Sequence, residues 1–333
     1  MGDKRIKRIS MDNPPRRLEA SVGYFNLMPY ELHGLLWRKF YDAKVDKRRE
    51  IWKSFNLPVE EIQKKFILMT KERNEFAKRK GYLNRVDMIL DEIKISRAVF
   101  DSFMRHIDKV IGYCNRQLPG VNDLPNWFYS EFNSPCFICR MSLFPFKNFD
   151  EVIDCVMGEY KFLSEFKDKI DIQLGSESKM VYKRETDSFE ITIYKDENIR
   201  HKSIDLIHEL GHVICFLRDS KNNINHLKKS KYLREKEAFE IEFSVLQKIS
   251  LTLFHAYFGD VLKLIWETLF QIELYDNPNR NLDKLYAEIF NRCFIRAKQK
   301  TNPLYILEKR IVLSPLSSLP HAVSQAGLVM KMV

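Results

Sequence analysis

The sequence predicts a mainly α protein with a small antiparallel β-hairpin or sheet. Three observations lead there. Glycine (11) and proline (12) are scarce among the 333 residues. Long stretches rich in Lys, Glu, Leu and Ile repeat apolar residues at three and four, the period of an amphipathic helix. One stretch, around residues 179–195, changes to the alternation of strands.

In chain order, residues 1–25 read as an irregular lead-in broken by Asn13-Pro14-Pro15. Residues 28–56 carry a helical period that Leu57-Pro58 ends, and residues 59–80 carry another. Gly81-Tyr82-Leu83-Asn84 is a turn. Residues 85–118 read as one long helix that stops before Pro119-Gly120. Several prolines and aromatics make 119–150 less regular, and the run 148–170 reads as helix again. Two strands follow at 179–184 and 189–195, joined through Thr186-Asp187-Ser188. A helix then starts with Ser203 as its expected N-cap. Residues 231–258 and 260–300 read as helical, and the tail ends in a short apolar helix.

Composition narrows the function. Hydrophobic residues make up 45% and charged residues 30%, a globular balance. No apolar run approaches the roughly 20 residues that span a bilayer. The basic N-terminus lacks an apolar segment of the secretory type, so the expected setting is cytoplasmic, with no membrane partner. The six cysteines are then expected to be reduced. Cys136 and Cys139 form a CxxC without a second ligand pair, and read as packing residues. The net charge of +10 is spread along the chain among acids. It reads as solvated helix faces, and no nucleic-acid partner is expected.

The chemistry centres on His208-Glu209-Leu210-Gly211-His212. Residues four apart share a helix face, so both imidazoles can reach one ion. Glu209 follows the first histidine, where its carboxylate can reach a metal-bound water. This HExxH helix follows a strand-like run, Glu190-Ile191-Thr192-Ile193-Tyr194, and Ile204, Ile207 and Val213 give it an apolar side. Catalytic zinc takes three protein ligands. The downstream helix offers Glu235, Glu237, Glu240 and Glu242. Helical phase places Glu235 with Phe239, Glu242, Phe243 and Leu246 on a core-facing side, while Glu237 shares a face with Ile241, Ser244, Val245 and then Lys248. Glu235 is therefore the preferred third ligand, Glu237 the second choice. Glu242 is placed to hydrogen-bond a ligand histidine.

Three stretches resemble the thimet oligopeptidase / oligoendopeptidase F family of zinc peptidases. They are the metal helix with its preceding strand, the segment Glu235–Glu242, and a run carrying Arg73, Asn74, Ala77, Gly81, Tyr82 and Asn84. The resemblance implies a mainly helical zincin catalytic domain with a small antiparallel sheet at a deep cleft. It implies a catalytic domain over 71–333, with 1–70 as an N-terminal helical segment packed on it. It also implies one zinc per chain on His208, His212 and Glu235, with Glu209 as general base. Two departures stand out. Family members are nearly twice as long, with a region roofing the cleft. Their C-terminal tyrosines have no counterpart in residues 314–328, where Ser317 and His321 stand instead. His321 is either a replacement donor to the oxyanion or a turn residue.

The expected function is a zinc-dependent peptidase acting on oligopeptides, its metal-bound water activated by Glu209. His321 or Tyr305 would help hold the oxyanion, and the strand Ile191–Tyr194 would pair with the peptide backbone. The alternatives are a related metallocarboxypeptidase and a weakly active or inactive zinc-containing peptide-binding protein. The sequence leaves the oligomeric state and the peptide preference open.

Overall fold

Helices dominate the computed structural model, which describes residues 59–118, 145–195, 199–295 and 314–333, together with Glu50, Tyr305 and Ile311. The expected lead-in over 1–25, most of the helix over 28–56, and the Cys136–Cys139 pair lie outside these residues. Among the described residues no helix is long and apolar enough to cross a membrane.

Helix α1 (Val59–Arg79) ends where Gly81 takes a φ of +90°, a conformation open to glycine. The helix expected over 85–118 is two: α2 (Arg85–Glu92) and α3 (Arg97–Gln117). Lys94 at φ +60° turns the chain, and Ser96 caps α3 by accepting from the Val99 N–H. The apolar period runs through this break, and the cap residue is what stops the helix.

A second difference follows α4 (Phe149–Glu159). The chain then passes through a 3₁₀ stretch (Lys161–Lys169) into a strand, β1 (Ile170–Gly175), instead of continuing as helix. Ile170 and Ile172 pack on the core while Asp171 faces out, a short period-2 pattern hidden behind a charged run. Strand β2 (Lys179–Lys183) and strand β3 (Ser188–Tyr194) form the expected antiparallel hairpin, with Asp187 at φ +49° in its turn. The sheet order is β1-β3-β2, and β1 pairs with β3 in parallel. The small sheet is thus mixed, and β3 is its centre. The β1–β2 connection crosses the C-terminal end of β3, where Ser178 Oγ accepts from the Tyr194 N–H at 2.9 Å.

Phe189, Ile191 and Ile193 of β3 are buried against α5 (Ile199–Lys221), the HExxH helix. This helix starts before Ser203, which is buried inside it and does not cap it. Helix α6 (Lys231–Ile249) packs along α5, and Ser230 caps it through the Leu233 N–H. Ser250 then breaks the run expected to continue to 258, and caps α7 (Leu251–Asp276). Helix α7 is buried on nearly every side, as a helix apolar all round must be. It packs against α1, α3, α6, α8 (Leu282–Cys293) and α9 (Leu319–Val329). The core around it includes Phe66, Phe258, Trp266, Phe270, Tyr275 and Tyr286.

Candidate metal centre

Helix α5 puts His208 and His212 one turn apart on one face, their rings edge to face with centroids 4.9 Å apart. Helix α6 faces them with Glu235 and Glu242, two turns apart on its own buried side. The helices approach closely because residue 211 is glycine. A Cβ there would lie 3.0 Å from the Ala238 carbonyl oxygen.

Oε2 of Glu235 lies 3.2 Å from Nε2 of His208 and 3.6 Å from Nε2 of His212. One donor atom from each of the three residues falls within 4.8 Å of the others. Donors held by an ion at about 2.0–2.2 Å in tetrahedral array stand roughly 3.3 Å apart, so this set fits zinc. Two imidazoles and one carboxylate are also the donor types zinc prefers. Behind His208, its Nδ1 donates to Oε2 of Glu242 at 2.8 Å. That bond leaves Nε2 as the atom directed at the cluster. Phe239 packs on the His208 ring at 4.4 Å between centroids.

The electrostatics follow from burial and these contacts. Burial opposes charge on Glu235, but hydrogen bonds from His208, His212 and His321 outweigh it and hold its carboxyl far below the usual range. Burial also opposes charge on His208, yet Glu235 and Glu242 push its pKa well up. Burial lowers the pKa of His212. Glu209 is buried next to the first histidine, and burial pushes its carboxyl up to about 7.

His321 sits in the first turn of α9, half-buried. Its Nε2 lies 3.2 Å from Oε2 of Glu235, and its ring meets Phe239 edge to face. The fold thus brings His321 to the cluster from a third helix. Ser317 stays in the preceding turn, its N–H bonded to the Ser314 carbonyl. Tyr305 does not serve as expected. It is fully buried, its hydroxyl accepts from Gln63 Nε2 at 2.8 Å, and aromatic rings pack round it.

Glu237 points elsewhere. Its carboxylate holds Nζ of Lys229 at 2.7 and 2.8 Å, and Lys229 also bonds Asp219. Asp219, His226 and Glu237 form a second cluster of metal-ligand types. There the Lys229 ammonium already supplies the positive charge. One residue of the site escapes a reading by motif. Tyr257 of α7 is buried beside Glu242, and burial together with that carboxylate's charge pushes its hydroxyl well up from the usual range. Nothing in the local sequence marks it, because it reaches Glu242 only through the packing of α7 on α6.

No protein-family model matches the chain, and no curated protein matches it. Two solved structures share its fold. One is PZ peptidase A with inhibitor 2, at TM-score 0.54 and 13% identity, covering 96% of this chain and 65% of that one. The other is described as an oligoendopeptidase F, at TM-score 0.56 and 12% identity, covering 94% of this chain and 66% of that one. Both belong to the family that the three sequence stretches resemble. This chain therefore spans just under two thirds of the length of either neighbour.

Proposed function

We propose that the chain is a zinc metallopeptidase of the thimet oligopeptidase / oligoendopeptidase F type, acting on oligopeptides. The carrying observation is the meeting of His208, His212 and Glu235 from two helices, with Glu209 buried beside them. Likeness to two peptidase structures supports the reaction class. His208, His212 and Glu235 would hold the ion. Zinc bound there supplies a Lewis acid that polarises a carbonyl and makes water acidic enough to react near neutral pH.

The chain's own residues would do the rest. Glu209, buried beside the first histidine, takes a proton from the attacking water and returns it to the leaving amine. Glu242 fixes the His208 ring. His321 would donate to the developing oxyanion, a role supported by its Nε2 lying 3.2 Å from Oε2 of Glu235.

Pairing of the peptide backbone with β3 does not survive the topology, because β1 and β2 occupy both its edges. Strand addition would use an outer edge of β1 or β2. Four described cysteines, Cys114, Cys155, Cys215 and Cys293, are free thiols, which suits the cytoplasmic setting we infer.

The test is a metal assay and a fluorogenic peptide-library digest of the wild type beside Glu209→Gln. The expected result is about one zinc per chain in both, with cleavage reduced roughly 10²–10⁴-fold in the variant. A wild type without zinc, or a variant that cuts as well as the wild type, overturns the proposal.

A further inference from the structure

The C-terminal end of α5 borders a hollow that the metal centre does not use. Its volume is about 280 Å³, close to the lower end of small-molecule sites. Its more buried wall is a row of rings. Tyr182, near the end of β2, lies 4.4 Å from Phe216 of α5, and Phe216 meets His226 edge to face at 5.6 Å between centroids. Ile224 and Leu227 stand at the mouth, 48% and 54% exposed. Arg184 also lines the mouth, exposed, and makes no ion pair with any described residue.

His226 is the buried polar group of this hollow, 4% exposed. Its Nδ1 lies 2.7 Å from Oδ2 of Asp219, whose other oxygen holds Nζ of Lys229 at 2.8 Å. A carboxylate only accepts, so Nδ1 carries the proton that it donates there. No described residue bonds Nε2. With Nδ1 turned to Asp219, Nε2 is the ring nitrogen left to face the space that His226 lines. A buried ring nitrogen is ordinarily hydrogen-bonded, and here its partner has room only in the hollow.

We propose that this hollow is a binding site, separate from the metal centre, for a phenolic ring that carries a carboxylate, the chemistry of a C-terminal tyrosine. The ring packs on Phe216 and Tyr182, and Ile224 and Leu227 flank it. The hydroxyl both donates and accepts, which suits Nε2 of His226. The carboxylate pairs with the Arg184 guanidinium, whose planar fork matches it. A plain apolar ring leaves Nε2 unbonded, and a ring without an anion leaves Arg184 without a counter-charge. Only the two groups together use both. The site stands whether or not the chain cuts peptides.

Calorimetric titration of the full chain with N-acetyl-L-tyrosine, backed by ligand-detected NMR, tests this. Saturable binding is expected. N-acetyl-L-phenylalanine, which lacks the hydroxyl, should bind roughly 2–10-fold more weakly. N-acetyl-L-tyrosine amide, which lacks the charge, should lose roughly tenfold or more. Arg184→Met should bring the acid down to the level of the amide. Leu227→Asp, a change at an exposed side chain, should weaken both. The peptide Ala-Ala-Ala-Tyr, titrated into Glu209→Gln so that it is not cut, separates two sources of the same chemistry. Tighter binding than N-acetyl-L-tyrosine assigns the site to a peptide end, equal binding to the free molecule, and both support it. No saturable binding up to about 10 mM ligand overturns the proposal. Equal affinity for the acid, its amide and the phenylalanine analogue overturns it too. So does affinity that Arg184→Met and Leu227→Asp leave unchanged. If that affinity vanishes when zinc is removed, the ligand sits on the metal centre, whose reading then stands while this one falls.

Discussion

Gly211 and the backbone of Ala238 are in such close approach that a side chain at 211 would have to displace that backbone by a few tenths of an ångström. A Cβ on Gly211 would lie 3.0 Å from the Ala238 carbonyl oxygen and 3.3 Å from its Cα. The obstacle is backbone, which cannot swing aside as a side chain can. The glycine inside the HExxH run thus sets the spacing between the helix carrying His208 and His212 and the helix carrying Glu235 and Glu242.

Gly211→Ala should push α5 and α6 apart. The expected cost is about 1–3 kcal/mol, the range for overpacking a tight interior. Zinc affinity should fall with it, because the carboxylates retreat from the imidazoles. Urea unfolding and a zinc titration check both. Unchanged affinity would mean that the helices separate elsewhere and that Gly211 does not set the centre's geometry.

The two acids competing for the third ligand should separate cleanly. Glu235→Gln should lose zinc, because Oε2 of Glu235 is the atom on which the histidines converge. Glu237→Gln should keep zinc and lose stability, because Glu237 pairs with the half-buried Lys229. About 1–2 kcal/mol is expected, between an exposed pair and a fully buried one. Metal analysis beside thermal melts decides. Zinc lost from Glu237→Gln and kept by Glu235→Gln would reverse the assignment.

His321→Ala should slow turnover with little effect on metal content. As an oxyanion donor its removal costs roughly 10²–10³ in kcat, with KM nearly unchanged. Its contact with Glu235 at 3.2 Å offers a distinct outcome to watch for. If zinc affinity collapses while kcat of the zinc-saturated variant is normal, the residue holds the ligand and not the oxyanion.

Acid should weaken the Asp219 cluster in a defined window. Burial alone would raise the Asp219 carboxyl, but hydrogen bonds from Lys229 and His226 outweigh it and hold it below the ordinary range. A carboxylate with a depressed folded pKa contributes fully above its unfolded value, near 3.9. That contribution is lost as pH falls through the folded value. Asp219→Asn should therefore cost about 1–3 kcal/mol at pH 7, with the gap to wild type narrowing as pH drops from about 5 toward 3. Urea melts of zinc-free protein at several pH values measure it. A gap independent of pH would show that the charge of Asp219 is not what holds the cluster.

The sequence by itself determined what is local. The 3.6-residue period marked the helices, and the alternation marked the β2–β3 hairpin. The i, i+4 spacing placed His208 and His212 on one face, and helical phase set Glu235 and Glu242 on another. Breaks at Ser96 and Ser250 escaped that reading, because the apolar period runs through them and only the cap conformation ends the helix. Strand β1 escaped because six residues behind a charged 3₁₀ stretch carry too little pattern. What the tertiary structure decided concerns residues far apart in the chain. It turned Glu237 toward Lys229, buried Tyr305 against Gln63, brought His321 to Glu235, and closed both edges of β3. It also set Glu242 against His208 and Gln325 against Tyr257. Periodicity says which face of an element is buried; what that face meets depends on how close the neighbouring element can come, and at the centre that is set by Gly211 against Ala238.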